Sequence, residues 1–283
     1  MKLIKFSVPN NFNLFQFGDD HEGTCLRHKE GWEQLVDMMN SPYGGLKADC
    51  NFGVDHGDIV EAIAVDDKRY DEDTTSLKVS KQEDQAVINR EKIKDKLVCI
   101  MEGNHPRKLK NYREITKEVC KKLGVNFGTW SAKITYYSGN SFYFKQFATH
   151  GSRTISSTAD DPLRAESNMR LILKRLLKNK FGDCLLMSMG HSHKLIVTPP
   201  INALYMADDG KEIKQHYTQR KLGRSEYIHP DHRWYINTGA FYKLYEDGKT
   251  SYAEIAGYDP IELGFCVVRY RDGDIEGIDK VTI

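Results

Sequence analysis

Along the chain, short apolar runs end abruptly at polar turns, and stretches of helical spacing lie between them. Leu14-Phe15-Gln16-Phe17, Leu97-Val98-Cys99-Ile100-Met101, Phe142-Tyr143-Phe144 continuing to Phe147, and Leu185-Leu186-Met187 are each rich in strand-forming residues. Phe52-Gly53-Val54 is a weaker member of the series. Trp32, Leu35, Val36 and Met39 recur at the spacing of one helix face, as do Leu171, Ile172, Leu176 and Leu177. Strands alternating with helices predict an α/β sheet, and such sheets bind ligands beyond the carboxyl ends of their strands.

After Trp234 the pattern becomes an alternation of apolar and polar residues, with turns at Asp247-Gly248 and Asp272-Gly273. It predicts antiparallel hairpins completing a second sheet. Two segments read as insertions. Residues 66–96 open with Asp66-Asp67-Lys68-Arg69-Tyr70-Asp71-Glu72-Asp73 and run into a charged helix ending near Lys96. The acidic stretch lacks the spacing of a calcium loop and reads as solvated. Residues 199–233 begin at Pro199-Pro200 and become basic and aromatic. The expectation is a single domain over residues 1–283 carrying these two insertions.

Composition narrows the classes. A hydrophobic content of 40% supports a core, and a net charge of +1 leaves any nucleic-acid binding to a local patch. The six cysteines are scattered without a C-x-x-C pair, which suggests neither a zinc ribbon nor a disulfide framework. Met1-Lys2-Leu3-Ile4-Lys5 lacks the apolar stretch of a signal peptide, and no apolar run approaches membrane-spanning length. A cytoplasmic protein without membrane contact is expected, and no protein partner can be inferred.

Five polar clusters terminate the apolar runs: Gly18-Asp19-Asp20-His21, Gly57-Asp58-Ile59-Val60-Glu61, Gly103-Asn104-His105, Thr149-His150-Gly151 and Gly190-His191-Ser192-His193. Taken singly, Gly-Asp and Asn-His pairs are turn chemistry. Taken together, the Asp, Asn and His residues form a ligand set suited to divalent ions such as Mn, Fe or Zn. All fall on the same side of their strands, so they can converge on one rim.

This ordered set resembles the signature of the calcineurin-like metallophosphoesterase superfamily: D-x-H, then G-D-x-x-[acidic or Arg], then G-N-H-[acidic], a lone His, and G-H-x-H. Asp19-Asp20-His21, Gly57-Asp58-Ile59-Val60-Glu61, His150 and Gly190-His191-Ser192-His193 match, with a weaker echo at Asn237-Thr238-Gly239. Gly103-Asn104-His105 matches except that Pro106 replaces the acidic residue, and proline there suits the first turn of a helix beginning near Arg107. The resemblance implies a β-sandwich of two mixed sheets flanked by helices, in four α/β/β/α layers.

It also implies two divalent ions, with manganese the leading candidate and iron or zinc possible. Asp19, His21 and His193 would hold the first. Asn104, His150 and His191 would hold the second. Asp58 would bridge them at a separation of about 3.5–4 Å, with a hydroxide between the ions as nucleophile. In the family the histidine at the position of His105 acts on the leaving oxygen. Glu61 would accept the other ring N–H of His105, or else cap a helix after Asp58. Arg107 and Arg153 are candidates to clamp a phosphate oxygen. His56 has no role in the motif.

The implied activity is phosphoester hydrolysis, with a phosphodiesterase or nuclease ahead of a phosphomonoesterase. Val60-Glu61-Ala62 departs from the V-D-R-G of protein Ser/Thr phosphatases, which disfavours that branch. DNA, RNA or a nucleotide is the expected partner, because Lys211, Lys214, Arg220, Lys221, Arg224 and Arg233 are interleaved with Tyr217, Tyr227, Trp234 and Tyr235. An ordinary solvated hairpin accounts for that composition equally. A metal-free scaffold is the alternative of another class, and the presence of every expected ligand speaks against it.

Overall fold

The Leu14-Phe15-Gln16-Phe17 run lies at the centre of a sheet that is covered on both faces. The computed structural model describes residues 1–67, 70–72, 74–75, 78–219 and 225–283. Its strands are β1 (Lys2–Ser7), β2 (Phe12–Phe17), β3 (Asn51–Asp55), β4 (Leu97–Ile100), β5 (Ser131–Ser138), β6 (Ser141–Thr149), β7 (Leu186–Met189), β8 (Leu195–Thr198), β9 (Leu204–Asp208), β10 (Ile213–Tyr217), β11 (Trp234–Thr238), β12 (Gly264–Arg271) and β13 (Asp274–Thr282). Its helices are α1 (Lys29–Met39), α2 (Val79–Glu91), α3 (Asn104–Arg107), α4 (Ile115–Leu123), α5 (Pro162–Leu177) and α6 (Tyr252–Ile255).

One sheet has the order β13-β12-β2-β3-β4 and the other β1-β5-β6-β7-β11-β8. Both are mixed: β2, β3 and β4 are parallel while β12 runs antiparallel to β2, and β6, β7 and β11 are parallel while β8 runs antiparallel to β11. Period-two alternation separates the faces. In β2, Phe12 and Leu14 pack between the sheets with Ile134, Phe144, Leu186 and Val268. Phe15 and Phe17 face the other way, onto Trp32, Leu35 and Met39 of α1 and a layer that includes Ile115 and Val119 of α4. On the outer side of the second sheet, Met187 and Tyr235 pack on Leu173 and Leu177 of α5. Each fully buried side chain of this size contributes roughly 1.5–3 kcal/mol of transfer free energy.

Parallel neighbours cannot be joined by a tight turn and need a crossover. α1 crosses from β2 to β3, and α2 crosses from β3 to β4. The charged helix within residues 66–96 is therefore the sheet's own connection. It turns a polar face inward, burying Gln82, Glu83 and Arg90. Lys68, Arg69 and Asp73 of the acidic stretch lie outside the described residues.

The turn expected at Asp272-Gly273 joins β12 to β13, with φ of 49° and 90° as a two-residue hairpin loop requires. That hairpin extends the sheet containing β2, whereas Trp234–Thr238 belongs to the other sheet. The turn at Asp247-Gly248 closes only an isolated bridge between Glu246 and Lys249. Among the described residues no helix is long and apolar enough to cross a membrane.

Candidate metal centre

The five clusters sit immediately after the carboxyl ends of β2, β3, β4, β6 and β7, and the packing of the two sheets brings those ends to one rim. Turning sharply out of a strand there imposes unusual backbone geometry. Asp19, His21, Asp58, His191 and His193 have φ between 49° and 70°, a region costing a non-glycine residue roughly 1–2 kcal/mol. Strain of this kind persists where surrounding contacts over-determine it. Here Asp19 N donates to Gly57 O at 2.8 Å and His21 N to Asp58 O at 2.9 Å, lacing the first two clusters together. Gly103 is required by close approach, since a Cβ there would lie 1.9 Å from Asp58 Oδ1.

Three groups of potential ligand atoms result: Asp19, His21 and His193; Asp58, His150 and His191; and His21, Asp58 and His105. Asp58 belongs to two of the three groups, one shared with His21 and the other with His150 and His191. His21 Nε2 lies 3.3 Å from His193 Nε2, and His193 Nε2 lies 3.4 Å from Asp19 Oδ1. His150 Nε2 lies 3.3 Å from Asp58 Oδ2, and Asn104 Oδ1 is 2.8 Å from His150 Nε2 and 2.7 Å from His191 Nδ1. Outward partners fix two rings. His150 Nδ1 donates to His56 O at 2.8 Å, and His21 Nδ1 donates to Glu61 Oε2 at 2.6 Å, so in each neutral imidazole the Nε2 lone pair faces the centre.

The residues fit a pair of cations. Asp19 Oδ1 is buried without a hydrogen-bond partner, an expensive state for a carboxylate oxygen unless a cation meets it. His21 Nε2 and His193 Nε2, 3.3 Å apart and each within 4.0 Å of Asp19 Oδ1, are placed to share a cation with it. Charge within the cluster responds accordingly. Burial opposes protonation of His21 and His150, but for His21 the carboxylates of Glu61, Asp58 and Asp19, and for His150 those of Asp58 and Asp19, outweigh it and raise each to about 9. Burial also opposes ionisation of Asp58, yet His150, His105 and His21 hold its carboxyl well below the usual range.

Glu61 departs from both sequence expectations. Its carboxylate orients His21, while His105 Nδ1 donates to the Glu61 backbone O at 2.7 Å and stands 3.5 Å from Oε2. No helix starts after Asp58 for Glu61 to cap. Pro106 lies inside the short α3, which begins at Asn104 rather than near Arg107, in the first turn where a missing N–H costs nothing. Arg107 pairs with Glu102 at 2.6 Å and lies over Trp130, and Arg153 is exposed; neither lines the cleft beside the centre. His56 is buried, with Nε2 3.0 Å from Gln16 Oε1 and Nδ1 3.1 Å from Thr149 O; burial lowers it to about 4, and it serves as a neutral strut.

Sequence reasoning missed the groups that hold the loops. Arg90 from α2 donates to Asp55 and to Asp20, and Arg27 Nε donates to Asp20 at 2.6 Å, clamping the β2 and β3 turns from below. Asn237, seen in sequence only as a weak echo, accepts from Lys194 N at 3.3 Å and donates to Gly190 O at 3.0 Å, securing the His191–His193 turn. Tyr242 places its ring centroid 4.8 Å from that of His21. Tyrosine after an apolar residue carries no signal of such a place.

The described part of the basic and aromatic segment does not reach the rim. β8 starts beside His193 and runs antiparallel to β11, ending at Thr198 opposite Tyr235, near the far edge of the sheet. The β9–β10 hairpin springs from there, its base tied by Ile201 N to Asp231 O and by Lys174 to Asp231. Lys214 is paired with Asp209 and Glu212, Arg233 is buried and donates to the carbonyls of Ile228, Lys178 and Phe181, and Tyr235 is core. Arg220, Lys221 and Arg224 lie outside the described residues. No protein-family model matches the chain, and a search of curated proteins finds no match in sequence.

Proposed function

We propose that the chain is a phosphoester hydrolase of the calcineurin-like metallophosphoesterase type, acting on diesters in preference to monoesters. One observation carries the reading: Asp58 Oδ2 lies between two histidines, 3.9 Å from His21 Nε2 and 3.3 Å from His150 Nε2, beside a buried Asp19 oxygen that accepts no well-formed hydrogen bond. Asp19, His21 and His193 would hold one divalent ion, Asn104, His150 and His191 the other, and Asp58 both. Manganese, iron and zinc all suit this donor set. Such ions supply Lewis acidity toward a phosphoryl oxygen and make water acidic near neutral pH.

The chain's own residues supply the rest. Hydrolysis forms a P–O bond from water and breaks the ester P–O bond, and the departing oxygen needs one proton. His105 lines the cleft, and the hydrogen bond from Nδ1 to Glu61 O leaves Nε2 as the ring nitrogen able to deliver that proton. Glu61 keeps a proton on Nδ1 of His21 and so keeps Nε2 available as a ligand. Diesters are favoured because, among the described residues, Lys194 is the one lysine or arginine lining the cleft, which leaves little to neutralise a second phosphate charge.

Exhaustive chelation followed by addition of manganese, with bis(p-nitrophenyl) phosphate as substrate, tests the reading. Activity should vanish and return with metal content. If manganese, iron and zinc all bind and none supports hydrolysis of any ester, the reading fails.

A further inference from the structure

A cleft of about 780 Å³ opens from the candidate centre, within the range of small-molecule sites. His21, His105, His191 and His193 form its inner end. Away from them its wall is aromatic. Tyr242 leads from the centre, its ring 4.8 Å from His21 and 5.6 Å from His193. Tyr252 and Tyr258 continue the wall as an edge-to-face pair with centroids 6.0 Å apart, at 64% and 50% exposure. Large rings held this open beside a polar centre are contact area for a ligand rather than core.

We propose that this wall is a subsite for the nucleoside portion of a nucleotidic phosphoester, with the planar base stacked on Tyr252 or Tyr258 while the phosphate lies at the histidines. The proposal rests on the hydrolase reading above and adds the class of group carried by the phosphate. Three features favour a nucleoside. Tyrosine rings stack on any base, because every base has a π face. Thr74, Thr154 and the carboxylate of Asp259 also line the cleft and match the hydroxyls of a sugar and the N–H edges of a base. A lipid chain would leave those groups desolvated and unpaired. A long polyanion gains affinity from many lysines and arginines, and the described lining has Lys194 alone.

The test is titration calorimetry with adenosine and uridine, which carry no phosphate, against the manganese-loaded full chain. Tyr252→Ala, Tyr258→Ala and Tyr252→Phe are compared with the wild type, and ribose serves as the ring-free control. These tyrosines are exposed, so circular dichroism should show unaltered folding. At least one alanine variant should bind nucleosides about 5- to 10-fold more weakly, as expected for one lost stacking contact, with Tyr252→Phe near wild type. The same variant should raise KM for a nucleotidic diester about as much, with little change in kcat and none for a methyl ester lacking a ring. The proposal is overturned if nucleosides fail to bind, if both alanine variants bind them unchanged, or if ribose competes equally. It is also overturned if a polynucleotide outcompetes a mononucleotide by more than its number of bases. Nucleoside binding that follows the expected pattern without hydrolysis of any ester would uphold the subsite and sink the hydrolase reading alone.

Discussion

Arg90 donates from Nε to Asp55 Oδ2 across 2.8 Å, with both side chains fully buried. The same guanidinium reaches Asp20 Oδ2 at 3.2 Å and lies over the Trp32 ring at 4.5 Å. Asp20 stands between Asp19 and His21, and Asp55 stands three residues before Asp58. One cation from a crossover helix thus ties down two turns whose ligands have left-handed backbone.

Arg90→Met should therefore be strongly destabilising. It leaves the buried Asp55 carboxylate without its countercharge and Asp20 with Arg27 alone, a loss of about 3–5 kcal/mol, equivalent to a fall in Tm on the order of 10 °C. Arg90→Lys keeps the charge but not the fork and should fall between. Saturating manganese should restore part of the loss by mass action, since the folded chain alone offers the assembled site. A Tm within 2 °C of wild type for Arg90→Met, measured by calorimetry, would contradict the clamp.

Asp58→Asn and His105→Ala should fail in different ways. Asp58 joins two ligand groups, so its amide should lower metal content and rate together. His105→Ala should retain the metals and lose roughly 10²- to 10⁴-fold in rate, the usual span for a positioned general acid. The loss should shrink on esters with good leaving groups, which need less protonation. Elemental analysis beside the kinetics separates the two, and an empty site in His105→Ala would show that its role was misjudged.

Much of this was readable from the chain because the information is local. An apolar run ending in Gly-Asp or Gly-His marks a strand end, and five such ends in one α/β sheet have one rim to share. The strand at Leu14-Phe15-Gln16-Phe17 likewise needed no tertiary knowledge, whereas the assignment of Leu14 and Phe15 to opposite faces did. Arg90 was hidden because charged residues on helices are almost always solvated, and α2 offers no apolar stripe to show which face turns inward. The partner of Glu61 was misjudged for a similar reason: the backbone carbonyl of Glu61 satisfies His105, and this frees the side chain for His21. The place of the basic segment depended on the direction of β8. β8, leaving Gly190-His191-Ser192-His193, carries the β9–β10 hairpin away from the site, a fact of pairing that no residue type announces.

The metal-free centre should be pH-sensitive with a definite sign. His21 and His150 are raised to about 9 in the folded chain, against an ordinary value of 6.5. Their protonation therefore adds stability that is fully present below about pH 6.5 and is lost as pH rises through about 9. Thermal scans of chelated protein should show Tm falling across that window, and manganese-loaded protein should lack the fall. Loading at pH 7 should release about two protons, one from each histidine, seen as a dependence of the calorimetric heat on buffer ionisation enthalpy. Glu61→Gln removes the largest favourable charge at His21 and should lower the release. Release unaffected by Glu61→Gln would break the assigned link between Glu61 and His21.

Reversing the charges of Lys211 and Lys214 to glutamate should leave hydrolysis unchanged. β8 spans Leu195–Thr198 at about 3.3 Å per residue, which carries the chain roughly 13 Å from the histidines before the hairpin begins. Lys214 is moreover paired with Asp209 and Glu212 on its own hairpin, so its field is largely cancelled where it stands. A double variant assayed on a nucleotidic diester and on single-stranded DNA, at low and high salt, should match wild type within about twofold in every case, since exposed pairs contribute little. Selective loss of DNA cleavage with a flattened salt dependence would mean that the hairpin meets the substrate after all, and the path of a polymer would then have to run from the far edge of the sheet to the rim.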